Sequence, residues 1–144
     1  MNVESLRAWL LTLPHVEETM QWGENLVFWV GDKAIGGKMF ALANLSPDSH
    51  GVLSFAAGPE RFAELLETEG AKPAPYLARA HWIAIDSYDV FPSSELKEHL
   101  RNAHAVVYAK LPRRTRDVLA LPAAERKKLI SARRKLLASQ GKAR

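Results

Sequence analysis

Few side chains in this sequence have the type and spacing that catalysis needs. The five histidines form neither an HxH nor an HExxH pattern, and there is no cysteine. Glu60, Glu64 and Glu67 recur at helical spacing and could supply paired carboxylates, but such a row is more often the solvated face of a helix. No Gly-x-Ser-x-Gly motif is present, and no nucleophile is paired with a base. The sequence therefore predicts a protein that is not an enzyme and has no metal site and no cofactor.

Positive charge is the feature that points most clearly to a partner. Residues 1–97 carry 7 Lys/Arg and 13 Asp/Glu, a net charge of −6, whereas residues 98–144 carry 13 Lys/Arg and 3 Asp/Glu, a net charge of +10. A basic end of this kind often meets nucleic acid, an acidic partner or a membrane surface, and the alternative is a solvated helix that aids solubility.

The partner that we predict for this basic end is DNA, bound through its phosphates without strong sequence specificity. No helix carries a clear set of base-reading side chains, and the acidic body opposes DNA binding. A hairpin near residues 31–38 could act as a wing beside the basic end. The predicted contact residues are Lys33, Lys38, Lys110, Arg113, Arg114, Arg116, Lys127, Lys128, Arg134 and Lys135.

The aromatic residues leave a second function open. Phe28 and Trp29 are adjacent on a predicted strand, so their side chains point to opposite faces of the sheet. An exposed tryptophan can anchor a protein partner or stack on a base, and we predict Trp29 as the partner-binding residue. The alternative function is a chaperone-like or adaptor-like interaction module without enzymatic activity. It would bind a protein partner, or a second copy as a homodimer, through the sheet face or the C-terminal helix. A covered sheet face is the competing interpretation of the same aromatic residues.

Hydrophobic periodicity and turn residues predict the elements that position these side chains. Asn2 is expected to cap a first helix over residues 3–13, and Leu96, Leu100, Ala103 and Val107 mark a later helix at i, i+4, i+7 spacing. Further helices are predicted from residue 59 to about 69 and from 123 to about 139. Strands are predicted at 19–22, 26–30, 34–45, 50–55 and 81–86, with a bulge or bend at Gly36 and Gly37.

The connections between these strands are mostly short, which favours antiparallel pairing. The predicted fold class is α+β: a two-layer sandwich whose antiparallel sheet carries helices on one face. We predict a domain over residues 1–111 and a basic helical C-terminal extension over residues 112–144, which could dock through Leu129 and Leu136. No apolar run approaches 18 residues and the first residues do not form a signal peptide, so a cytoplasmic protein without membrane contact is expected.

Several short motifs follow one another in a defined order from the first helix to about Arg114. They are Leu13-Pro14 with Glu17-Glu18, Trp22-Gly23, Gly37-Lys38-Met39-Phe40, Pro73-Ala74-Pro75-Tyr76-Leu77, His81-Trp82-Ile83-Ala84-Ile85, the helix with Leu96, Leu100 and Val106-Val107, and Lys110-Leu111-Pro112-Arg113-Arg114. In this order and spacing the chain resembles the MmcQ/YjbR family of small bacterial proteins. The family often has Ser-Tyr in its last helix, where this chain has Ala103-His104. The resemblance implies a sandwich fold like that of CyaY or the secretion chaperones. It also implies DNA as a partner, because the family is labelled DNA-binding for a fold that looks like a double-wing motif.

Overall fold

The computed structural model describes residues 1–48 and 51–142 of the chain. Residue 50, at which one predicted strand begins, and residues 143–144 of the predicted extension lie outside these ranges. The helices are α1 (Val3–Leu10), α2 (Pro59–Leu65), α3 (Ser93–Lys110), α4 (Arg113–Leu119) and α5 (Ala123–Lys142). The strands are β1 (Val16–Gln21), β2 (Asn25–Val30), β3 (Lys38–Asp48), β4 (Gly51–Ala56), β5 (Ala71–Pro73) and β6 (Trp82–Ile85).

The strands form one six-stranded sheet in the order β1-β2-β3-β4-β6-β5, and every neighbouring pair is antiparallel. Phe28 of β2 lies opposite Ala41 of β3, and Ala41 lies opposite Phe55 of β4. Since side chains alternate across a strand, these residues share the face that carries the main core. The predicted antiparallel α+β fold is confirmed.

Helix α3 covers this face of the sheet through the apolar stripe that the sequence predicts. Leu96, Leu100 and Ala103 are fully buried, and Val107 is almost so. Helix α3 contacts β2, β3 and β4, the strands at the centre of the sheet. A stripe at i, i+4, i+7 stabilises a helix mainly by burying it against a second layer, which explains why this helix is the longest packed one.

Local chemistry sets the ends of α1. Asn2 accepts a hydrogen bond from the Ser5 backbone, and the Ser5 side chain closes the reciprocal capping bond, as the predicted cap requires. The helix ends at Leu10 rather than at residue 13. Thr12 bonds the Trp9 carbonyl through both its backbone and its hydroxyl, which tightens the chain into turns before Pro14.

The segment between β2 and β3 differs from the prediction. Lys33–Ile35 form a short 3-10 helix that ends at Gly36 with φ +92°, so the glycines terminate a turn and do not form a bulge inside a strand. Gly37 passes so close to the Gly31 carbonyl that a Cβ here would lie 2.0 Å from its oxygen. Strand β5 was not predicted because it is three residues long, and its Pro73 is tolerated since β5 is an edge strand.

Helix α4 packs into the core, although the sequence assigns it to the extension. Leu119 is 4% exposed and belongs to the main core, and Thr115 is 3% exposed. The packed body therefore reaches Leu119 and includes more than residues 1–111. The part that projects is α5, in which every residue over 131–140 is exposed.

Candidate nucleic-acid interface

Helix α4 is held against the short 3-10 helix that precedes β3. The Thr115 hydroxyl donates a 2.7 Å hydrogen bond to the Ile35 carbonyl, 80 residues earlier in the chain. Gly36 leaves room for this approach, because a Cβ there would lie 2.5 Å from the Thr115 hydroxyl oxygen. The contact fixes the position of α4 against the body and therefore the direction from which α5 starts.

Helix α5 is attached to the same connection by an ion pair. Arg134 donates to a carboxylate oxygen of Asp32, whose other oxygen accepts a 2.8 Å hydrogen bond from the Ala34 backbone. The hydrogen bond and charge of Asp32 raise the pKa of Arg134 above its usual value. Asp32 is 7% exposed, so a buried carboxylate has its countercharge on α5. Arg134 thus holds α5 against the body, although the sequence predicts it as a phosphate contact.

A histidine lies beside the start of α5. Burial lowers the pKa of His15, and the positive charge of Arg126 and the proximity of His104 lower it further. His104 itself bonds the Pro14 carbonyl at 2.7 Å. The neutral form of His15 is therefore favoured where α5 meets the body.

Most of the other predicted phosphate contacts are exposed. Arg116 is an exception, since it is half-buried and its Nε lacks a hydrogen-bond partner among the described residues. Lys33 lies on the 3-10 helix that α5 contacts, with its Nζ 5.7 Å from the Trp29 ring centre, so the fold brings it close to the basic end. Apart from Arg134, which is exposed but paired with Asp32, the exposed residues of the predicted set are Lys33, Lys38, Lys110, Arg113, Arg114, Lys127, Lys128 and Lys135.

The long helix α5 separates charge from apolar surface. Lys128 and Lys135 are seven residues apart and share one side of the helix, while Leu129 and Leu136 share another. Leu129 is 42% exposed and Leu136 is 45% exposed, so α5 does not dock through them as predicted. Arg133 is also exposed and was missed, because it falls beside the apolar stripe.

The prediction that Trp29 is an exposed partner-binding residue is wrong. The side chain is 9% exposed, and its indole N–H donates a 2.8 Å hydrogen bond to Thr19 of the neighbouring strand. Both faces of β2 are covered here, and residues 26–30 are all buried. Periodicity places Phe28 and Trp29 on opposite faces but does not show what covers each face.

The two most exposed aromatic rings among the described residues lie in turns instead. Trp22 is 62% exposed and Tyr76 is 98% exposed, and both have a left-handed backbone with φ of 50° and 65°. The signals that could have found them are Gly23, after Trp22, and Pro75, before Tyr76, since such residues mark turns at the surface.

These two rings border a groove of about 620 Å³ on the sheet face opposite α3. Its floor includes Met39, Leu42 and Ser54, which alternate with core-facing residues of β3 and β4. Ser54 is 8% exposed, so the groove reaches a buried hydroxyl on β4. The charged residue of the lining is Glu24, which accepts a hydrogen bond from Ser46.

The described residues contain no group of three histidine or acidic side chains that could hold a metal ion. Over the same ranges, no helix is long and apolar enough to cross a membrane. These features define a small α+β sandwich protein whose sheet carries one helical layer and whose C-terminal end is a basic helix.

The chain belongs to the YjbR family, whose model matches residues 11–106. It is also similar to the crystal structure of the Deinococcus radiodurans protein DR2400, described as containing the domain DUF419. The sequence identity is 32% and the TM-score is 0.72, with 84% of this chain and 89% of that chain covered. Comparison with curated proteins gives no significant match.

Proposed function

We propose that this protein binds DNA through the phosphate backbone, without enzymatic activity and without strong sequence specificity. The observation that carries the proposal is the row of exposed cations on α4 and α5. Among the side chains that the structure describes, Arg134 is the cation of these two helices that forms a salt bridge, and the other lysines and arginines of α4 and α5 form none. Unpaired lysines and arginines on a surface supply the electrostatic attraction that nonspecific DNA binding needs.

The separation of charge along the chain supports a defined orientation on DNA. Residues 1–97 carry the net charge of −6 and would be repelled by phosphates, while the basic helices would be attracted. Lys33 adds a cation beside α5, because the 3-10 helix lies against it. No base-reading set is apparent on these helices, which favours contacts to phosphates over contacts to bases.

The test is fluorescence anisotropy of a labelled duplex of about 25 base pairs at several salt concentrations, with dissociation constants of about 1–100 μM expected near physiological salt. Point substitutions are preferable to deletion of residues 112–144, since deletion would remove the buried Leu119. The variant is Arg113→Gln, Arg114→Gln, Lys128→Gln and Lys135→Gln combined. If all four residues contact phosphates, the slope of log affinity against log salt becomes shallower by about 3.6, at about 0.9 per phosphate.

The control variant, Arg79→Gln with Lys97→Gln, removes cations from the acidic part of the chain. Its salt slope should equal that of the wild-type protein. Absence of binding at low salt, or an unchanged slope in the fourfold variant, would contradict the proposal. If only the control variant had a shallower slope of log affinity against log salt, the DNA contact would lie on the body of the protein instead.

A second candidate function is an interaction module that binds another protein. The groove bordered by the exposed rings of Trp22 and Tyr76 favours it, because exposed aromatic side chains are typical anchors of protein interfaces. Co-purification on an immobilised wild-type protein, compared with a variant carrying Trp22→Asn and Tyr76→Asn, tests this candidate. A protein retained by the wild type and lost with the variant supports it.

A further inference from the structure

Among the apolar surfaces that the described residues leave open to solvent, two are complementary in shape. The first is the stripe on α5 formed by Leu129 and Leu136, which are 42% and 45% exposed, with Leu137 at its edge, 44% exposed. The second is the groove bordered by Trp22 and Tyr76 on the sheet face opposite α3. An exposed apolar stripe on a helix and an exposed apolar groove are the two halves of a helix-in-groove contact.

The stripe on α5 cannot be explained by packing within the chain. The helix is tied to the body through Arg134 and Asp32, and its half-buried Ile130 lies between Arg126 and Arg134 along the same side. The residues that follow Arg134, up to residue 140, are all exposed and extend about 9 Å at 1.5 Å per residue, so this end of α5 projects beyond the ion pair. We call the exposed side of α5 from Leu129 to this end the arm, since it can contact another molecule.

The groove has the shape and chemistry to receive such an arm. The floor of the groove, formed by Met39 and Leu42, is apolar. The two aromatic residues at its rim lie on different connections, Trp22 in the β1–β2 turn and Tyr76 in the segment after β5. Glu24 at the rim is acidic, and no lysine, arginine or histidine is among the described lining residues. A volume of about 620 Å³ is within the range of about 300–1,000 Å³ that protein pockets use to bury organic groups.

The distribution of charge indicates which segment occupies the groove. The groove belongs to a part of the chain with a net charge of −6, and α5 belongs to a part with a net charge of +10. Arg133 lies beside the apolar stripe of α5, where it can meet the carboxylate of Glu24 as the leucines enter the groove. Packing of α5 on a second α5 would instead bring like charges together.

We propose that the arm of one copy docks into the groove of a second copy, and that the two copies exchange arms reciprocally. Reciprocal exchange gives a closed dimer with two identical contacts, and it doubles the area that either contact buries. Lys128 and Lys135 lie on another side of α5 and stay exposed in this dimer. The contact thus does not depend on DNA binding, and it is tested without DNA.

The first measurement is the mass of the full chain in solution, by size exclusion with light scattering over a concentration series. The expected mass rises from 16.1 kDa towards twice that value. The arm variant carries Leu129→Gln and Leu136→Gln, which keep helix propensity while removing apolar surface. Each substitution removes a leucine from both contacts of the reciprocal dimer and should weaken self-association by about a hundredfold, at about tenfold per leucine.

The groove variant carries Trp22→Asn and Tyr76→Asn, since asparagine tolerates the left-handed backbone at both positions. It should also be monomeric where the wild-type protein is dimeric. The matched control carries Ser131→Gln and Ala138→Gln, two exposed positions with the same spacing on another side of α5, and it should dimerise like the wild type. Circular dichroism checks that each variant is folded.

Mixing the two variants decides between this dimer and other arrangements. The arm variant keeps an intact groove and the groove variant keeps an intact arm, so an equimolar mixture restores one of the two contacts. By sedimentation velocity at high concentration it should form a heterodimer that is weaker than the wild-type dimer. Neither variant should dimerise alone. A wild-type protein that stays monomeric at its solubility limit overturns the proposal. So does a mixture that associates no more than either variant alone at the highest soluble concentration, and so does a control that loses the dimer.

Discussion

Replacement of Leu119 by alanine tests whether α4 belongs to the packed body. Leu119 is 4% exposed and its side chain lies in the main core, close to Gly31 at the end of β2. Loss of a buried leucine removes its transfer free energy and leaves a cavity, which together cost about 2–5 kcal/mol. Because Leu119 ends a short helix near the surface, where neighbours can relax, we expect about 2–3 kcal/mol at the lower end of that range.

The assay is urea unfolding followed by circular dichroism, and the control is Leu129→Ala on α5. Leu129 is 42% exposed, so the same substitution should change the free energy of unfolding by less than about 0.5 kcal/mol, measured at concentrations where the chain is monomeric. Both residues lie in the region that the sequence predicts as an extension. Equal effects of the two substitutions would refute the packing of α4.

Three further changes have defined outcomes. Asp32→Asn keeps the bond to the Ala34 backbone but removes the ion pair with Arg134, so amide exchange should quicken in α5 by about fivefold and stay unchanged in the sheet. Gly37→Ala should destabilise the fold by about 3 kcal/mol in urea unfolding, because its Cβ would meet the Gly31 carbonyl. The pKa of His15 is lowered in the folded state, so the unfolded chain takes up the proton first as the pH falls below 6.5. The free energy of unfolding should therefore fall with pH from that point until the folded histidine is also protonated, and His15→Asn should remove this part of the pH dependence.

The sequence predicts best the elements whose stability comes from a repeating local pattern. The stripe from Leu96 to Val107 predicts α3 and its buried face, because a helix brings residues at these spacings to one side. The cap at Asn2 is likewise local, since it links residues three apart. Antiparallel pairing follows from the short connections between strands. The position of β5 next to β6 could not be predicted, because a strand of three residues that includes a proline has no recognisable sequence pattern.

The candidate site was predicted less well, because exposure depends on what packs over each residue. The distribution of charged residues along the sequence is enough to show that the C-terminal end is basic. It does not show that Arg134 is paired with Asp32, 102 residues earlier, or that Arg116 is half-buried. The same limit applies to Trp29, whose strand is covered on both faces.

The sequence by itself therefore determined the fold class, the helical stripe that forms the main layer and the division between an acidic body and a basic end. Those properties depend on composition and on periodicities of two and 3.6 residues, which are local. Only the tertiary structure decided that α4 joins the core, that α5 projects, and that Trp22 and Tyr76 border one groove. These outcomes depend on contacts between residues far apart in the chain, and no local pattern encodes which surfaces such contacts cover.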